Sequence, residues 1–246
     1  MPDWVAPAAP AAAAQQVLAP QVAPPRRFQP ARTNLGGFAK TGDARSLRRG
    51  LGHYSRTGLG GAATAASRMG GTARTAGGLY NVLESFSSGA ATPAGISLNA
   101  TTLSGRTPSE IADAITEALR PIDGTQDGES ARDAMSRAFA ELLEEDPTAN
   151  LLDLGPAQIE RVVEAYIAND LTNRVELDVG KAVLDKAPNA ATGVARLEEM
   201  KAYVRQEIAR AFRARAANGE RLNNSNAATL TSNVLRDAFE VFESYL

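Results

Sequence analysis

Arg26, Arg27, Arg32, Lys40, Arg45, Arg48, Arg49, Arg56, Arg68 and Arg74 fall within one run, Arg26 to Tyr80, that holds a single acid, Asp43. The run carries a formal charge of +9, whereas residues 81–246 carry 16 bases against 26 acids, or −10. The net charge of −2 therefore conceals a polarised chain. Nine of the ten bases are arginine, whose planar fork of donors matches carboxylate or phosphate oxygens; solubility alone would be served as well by lysine. Phe28, Phe38 and Tyr54 are interleaved with them. Three roles fit these residues. They can follow a phosphate backbone, grip the acidic face of a partner protein, or lie as an ordered arm on the rest of the molecule.

Other chemistry is sparse. Gly58-Leu59-Gly60-Gly61-Ala62-Ala63 has the spacing of a dinucleotide fingerprint, with Glu84 downstream, but the residues before it are polar and helix-like where a buried strand is required. Asp123, Thr125, Asp127 and Gly128 echo a calcium loop, yet Ala134 stands where the bidentate glutamate belongs, so a plain interhelical turn is expected. His53 is the only histidine and has no nucleophile or second ligand at a useful spacing. Its arginine neighbours should disfavour its protonated form. Glu141, Glu144, Glu145 and Asp146 crowd the end of a helix, either as a solvated face or as the receiver of the basic run. No catalytic, cofactor-binding or metal-binding set emerges, and a protein that is not an enzyme is expected.

The elements that position the bases are helical. Residues 1–30 are mostly Ala, Pro, Gln and Val, and their prolines interrupt any helix, so a disordered tail is expected with Trp4 as an anchor on this protein's own body or on a partner. Residues 31–88 read as a basic, Gly-rich arm with short helices, the first N-capped by Asp43 with Leu47, Leu51 and Tyr54 on its apolar side. A second covers GAATAASRMGG, and a third has Leu79, Val82, Leu83 and Phe86 as its ridge. Nine glycines between residues 50 and 78, at about 1 kcal/mol each relative to Ala, make this arm dependent on outside contacts. Residues 89–106 read as a linker. Thr107-Pro108-Ser109-Glu110 is a capping box that opens the segment 107–246, a bundle of about five amphipathic helices. The fourth of these places Val194 and Phe212 on its apolar side. The fold class expected is all-α.

Composition excludes further classes. There are no cysteines, so disulfides and thiolate chemistry are out. No apolar run approaches the ~20 residues of a membrane helix. The N-terminal stretch lacks a basic n-region and is broken by Pro7 and Pro10, which argues against export and for the cytoplasm.

The chain resembles the B component of Qat anti-phage defence systems (QatB). The resemblance rests on Trp4 near the proline-rich tail and on RRFQPARTNLGGFAKTGDARSLRRGLGHYSRTGLGGAATAASRMG, continuing through GESARDAMSRAFAEL and IERVVEAYIANDL. It covers most of residues 26–220, and GDARSLRRGLGHYSRTGLGG is its most specific block. It implies a partner protein in a bacterial defence operon whose other components are an ATPase, a QueC-like enzyme and a TatD-like DNase. The expectation is a non-enzymatic adaptor or substrate protein docking on the QueC-like enzyme through its tail and arm. Contacts are expected from Trp4, Arg32, Arg45, Arg48, Arg49, His53, Tyr54, Arg56, Gly60, Gly61 and Arg68. The alternative is a nucleic-acid-binding subunit using the same arginines.

Overall fold

The computed structural model describes residues 26–246, and Trp4 with the rest of the Ala/Pro-rich segment up to residue 25 lies outside the described residues. Within them the chain is all-α, with no strand. The basic run forms α1 (Gln29–Thr41), α2 (Ala44–His53), α3 (Ala62–Arg68) and α4 (Gly70–Ser88), with a π-type turn, Tyr54–Leu59, between α2 and α3. After it come α5 (Ala100–Leu103), α6 (Pro108–Leu119), α7 (Gln126–Glu145), α8 (Pro156–Val175), a second π-type turn Glu176–Gly180, α9 (Lys181–Lys186), α10 (Ala190–Ala217) and α11 (Ala227–Glu243). The bundle therefore has more helices than the five expected. One reason is that α8 continues through the π-type turn into α9, which is the irregular stretch between Val175 and Leu184.

Helix formation begins earlier than the sequence suggests. Residues 28–30 are not tail: Phe28 is buried and stacks on Tyr54 with ring centroids 5.5 Å apart. Pro30 sits in the first turn of α1, where the missing N–H has no helical acceptor to lose. Gly36 lowers helix propensity, but it lies where a β-carbon would come within 3.1 Å of Lys186 Cγ, so α1 and α9 need the gap. Other local signals are realised as read. Asp43 caps α2, and the Thr107–Glu110 box closes in both directions at the start of α6. Val194 departs from expectation: it is 56% exposed, on the outer side of α10.

Segments 31–88 and 107–246 share one hydrophobic core. Leu35, Leu51, Tyr54, Leu79, Val82 and Leu83 have no exposed surface, and neither have Val162, Ile167, Val234 or Phe239. The C-terminal helix explains the sharing. α11 lies against α2, α3 and α4 as well as α10, so its apolar stripe is covered largely by the basic segment. α8 in turn packs on α4, α7 and α10. The stretch 89–106 is tied down too: Thr92 Oγ1 donates to the Leu98 carbonyl at 2.9 Å, and Leu103 is buried.

This packing makes the basic segment part of the cooperative fold. Leu51→Ala is expected to cost about 2–5 kcal/mol, the usual range for a buried leucine, and to shift one unfolding transition of the whole chain. Urea denaturation followed at two wavelengths tests this. A separate early transition, with the rest unchanged, would contradict it.

Candidate cationic interface

The arginines face outward because the opposite sides of their helices are committed to the core. In α2 the carboxylate of Asp43 accepts from the backbone N–H of Arg45 (3.3 Å) and of Ser46 (2.8 Å). Those bonds, the Ser46 hydroxyl's foremost, hold the Asp43 pKa below the usual range. Leu47 and Leu51 then point inward, while Arg45, Arg48 and Arg49, at i, i+3 and i+4, share an exposed face. Together with Asp43, Tyr245 and Leu246 they line a cleft of about 610 Å³. The Arg48 guanidinium lies 5.2 Å from the Tyr245 ring centroid and 6.0 Å from that of Tyr203, so a cation–π contact on the end of the chain and on α10 steadies it.

His53 follows one turn later and is half-buried, with Nδ1 buried and unpartnered. Burial first, and the Arg49 charge second, lower its pKa from the ordinary 6.5. Arg56 is exposed and 3.9 Å from Glu243, a loose pair. Arg68 is exposed on α3.

Four of the expected contact residues, Tyr54, Gly60, Gly61 and Arg32, also meet demands of the fold itself. Tyr54 is fully buried, and its hydroxyl donates to Asp178 Oδ2 at 3.0 Å, across to the π-type turn. Burial raises the Asp178 pKa even though it accepts that bond. Gly60 and Gly61 have φ of +93° and +94°, a left-handed turn that stops the helix, with the Gly61 N–H returning to the Ser55 carbonyl at 3.0 Å. Their glycine identity answers a backbone demand. Arg32 spends its guanidinium on the Asp178 carbonyl (2.8 Å) and remains exposed.

Pairing separates the two kinds of base. Twelve of the sixteen Lys and Arg after residue 80 have a carboxylate within 4.0 Å. Of the ten in the basic run, only Arg56 has one among the described residues. Within the chain the acidic end of α7 does not receive the basic run. Glu145 pairs with Arg161 (2.6 Å), Glu141 lies 3.7 Å from Arg205, and Asp146 accepts from Gln158. Glycine fingerprint and calcium-like loop both resolve as local structure. The first follows a helix, not a strand, and Asp123 Oδ1 is engaged by the Thr125 N–H and hydroxyl at the start of α7. No group of three or more potential metal ligands occurs among the described residues. Tyr203, Tyr245, Asp178 and Glu243 were missed by sequence reasoning. Each lies more than 120 residues from the base or hydroxyl it meets, and no local pattern marks them.

The described residues form an all-helical body in which nine of the ten bases of one segment have no carboxylate within 4.0 Å. The family described as "Qat anti-phage system associated protein QatB" matches residues 60–242, and the chain belongs to that family. Most of the block on which the resemblance is most specific, residues 42–61, precedes the matched range. No curated protein and no solved structure matches the chain.

His53 supplies a measurable consequence. Its pKa is lower folded than unfolded, so below about pH 6.5 the unfolded chain binds more protons and acidification destabilises the fold. Asp170, Asp178 and Glu164, whose pKa values burial raises, act in the opposite direction at lower pH but are common to wild type and variant. The Tm of wild type is therefore expected to fall more, or rise less, than that of His53→Gln from about pH 7 to 5. Identical slopes in thermal scans would refute it.

Proposed function

We propose that the protein is a non-enzymatic adaptor of the Qat anti-phage system, acting in the cytoplasm and docking on the QueC-like enzyme through its basic segment. The ATPase and the TatD-like DNase of the same system are further partners in this reading, and the N-terminal tail with Trp4 adds to the contact. One observation carries it. The bases of α1 to α4 are exposed and lack carboxylates, while their backbone is fixed by the core. A surface of that kind is pre-organised, so docking needs little ordering of the chain. Arginine forks facing outward match the carboxylates of an acidic protein surface.

Deleting residues 31–84 would remove Leu35, Leu51 and Leu79 from the core, so loss of binding would report unfolding. Charge reversal is the sharper test. Arg45→Glu with Arg48→Glu and Arg49→Glu should leave the far-ultraviolet circular dichroism of the chain unchanged and abolish co-purification with the QueC-like enzyme. Undiminished co-purification would remove the reading. The same unpaired arginines motivate the second reading, a nucleic-acid-binding subunit. It requires retention of DNA or RNA in a gel shift, with affinity falling by about 0.9 log units per log unit of salt for each phosphate contacted.

A further inference from the structure

We infer that the cleft formed by Arg45, Arg48 and Arg49 beneath Tyr245 is a carboxylate-binding site, built to receive a short acidic segment of a partner protein. This rests on the adaptor reading and narrows it to one place on the basic surface.

Strain in α2 is the first support. Arg45 stands in the first turn, whose N–H groups are capped by the Asp43 carboxylate, the one acid at that end of the helix. Arg45 faces Arg48 at i+3 and Arg49 at i+4, and like charges at those spacings repel. None of the three has a carboxylate within 4.0 Å among the described residues, and Asp43 is occupied with the helix cap. A helix stable for its own sake would not be charged this way. An incoming anion relieves both repulsions together.

Order is the second support. The Arg48 guanidinium lies over both the Tyr203 and Tyr245 rings, so its freedom is reduced before any ligand arrives. The third is length. Asp43 closes the stripe at the start of α2, and Glu243 closes it beyond His53, where it accepts from Ser55 Oγ at 2.6 Å. A continuous phosphate backbone would run onto these carboxylates at either end. An opening of about 610 Å³ suits a short acidic stretch rather than a globular surface.

The test uses the full chain and the QueC-like enzyme, with two variants that remove the same charge from the same surface: Arg45→Gln/Arg49→Gln, and Lys40→Gln/Arg74→Gln. Retention of the partner should fall about tenfold or more in the first and stay within about twofold in the second. A hexaglutamate peptide should compete for the partner and raise the Tm of wild type, and do neither with Arg45→Gln/Arg49→Gln. That variant's own Tm at low salt should equal or exceed wild type, because like-charge repulsion is gone, so lost retention cannot be ascribed to unfolding. Equal losses in both variants would mean that the overall field binds and no cleft does, which overturns this inference and leaves the adaptor reading standing. No loss in either variant overturns both. A single-stranded dodecanucleotide that raises Tm where hexaglutamate does not would make the cleft a phosphate site and overturn the carboxylate assignment.

Discussion

The absence of a β-carbon at a few helix contacts is what the whole arrangement rests on. At Gly50 a methyl group would lie 2.6 Å from Leu35 Cγ, at Gly58 it would strike the Phe28 ring, and at Gly77 it would sit 3.0 Å from Ala228 Cβ. These are the contacts of α1 with α2, of Phe28 with the π-type turn, and of α4 with α11. Each glycine weakens its own helix by about 1 kcal/mol, and each allows a packed side chain to sit one methyl group closer to its neighbour. Removing that closeness would lift the basic segment off α11 and expose the stripe of Leu230, Val234 and Phe239.

The basic segment is fastened by its hydroxyl groups. Tyr54 reaches Asp178, Ser55 reaches Glu243, Thr72 reaches Asp170 at 2.5 Å, and Tyr80 reaches the Leu222 carbonyl at 3.1 Å. Neutral donors satisfy buried acceptors without carrying charge into the core, where a guanidinium would have to be desolvated. Asp170 illustrates the economy. It is 2% exposed and accepts from Thr72 and Ser130, and burial still raises its pKa. With the attachment left to hydroxyls, the guanidiniums stay outside. Arg32 stays outside too, although it donates to a backbone carbonyl.

Much of the fold was legible because its signals are local. Asp43, the Thr107–Glu110 box and the ridge Leu79–Val82–Leu83–Phe86 act within one or two turns, and each appears where the sequence puts it. α1 was not legible. The pair Gly36–Gly37 speaks against a helix locally, and packing against α2 and α9 outweighs it. The same limit applied to the site. Arg45, Arg48 and Arg49 could be placed on one helix face from their spacing, but the sequence held no trace of Tyr245 and Tyr203 arriving from the far end of the chain. Tyr54 was read as a partner contact because an aromatic among arginines has the composition of a binding surface. Its acceptor, Asp178, lies 124 residues away.

Charge segregation along a chain with one core leaves residues 26–80 with a formal charge of +9 and a local positive field in spite of a net charge of only −2. At a distance the net charge exerts little pull, and an approaching anionic surface acts mainly through a torque that turns the basic side toward it. Such rotational steering raises the fraction of encounters that start in register, and it fades once the separation exceeds the Debye length of about 8 Å at physiological salt. Any encounter with an anionic surface is thus biased in orientation before side chains touch.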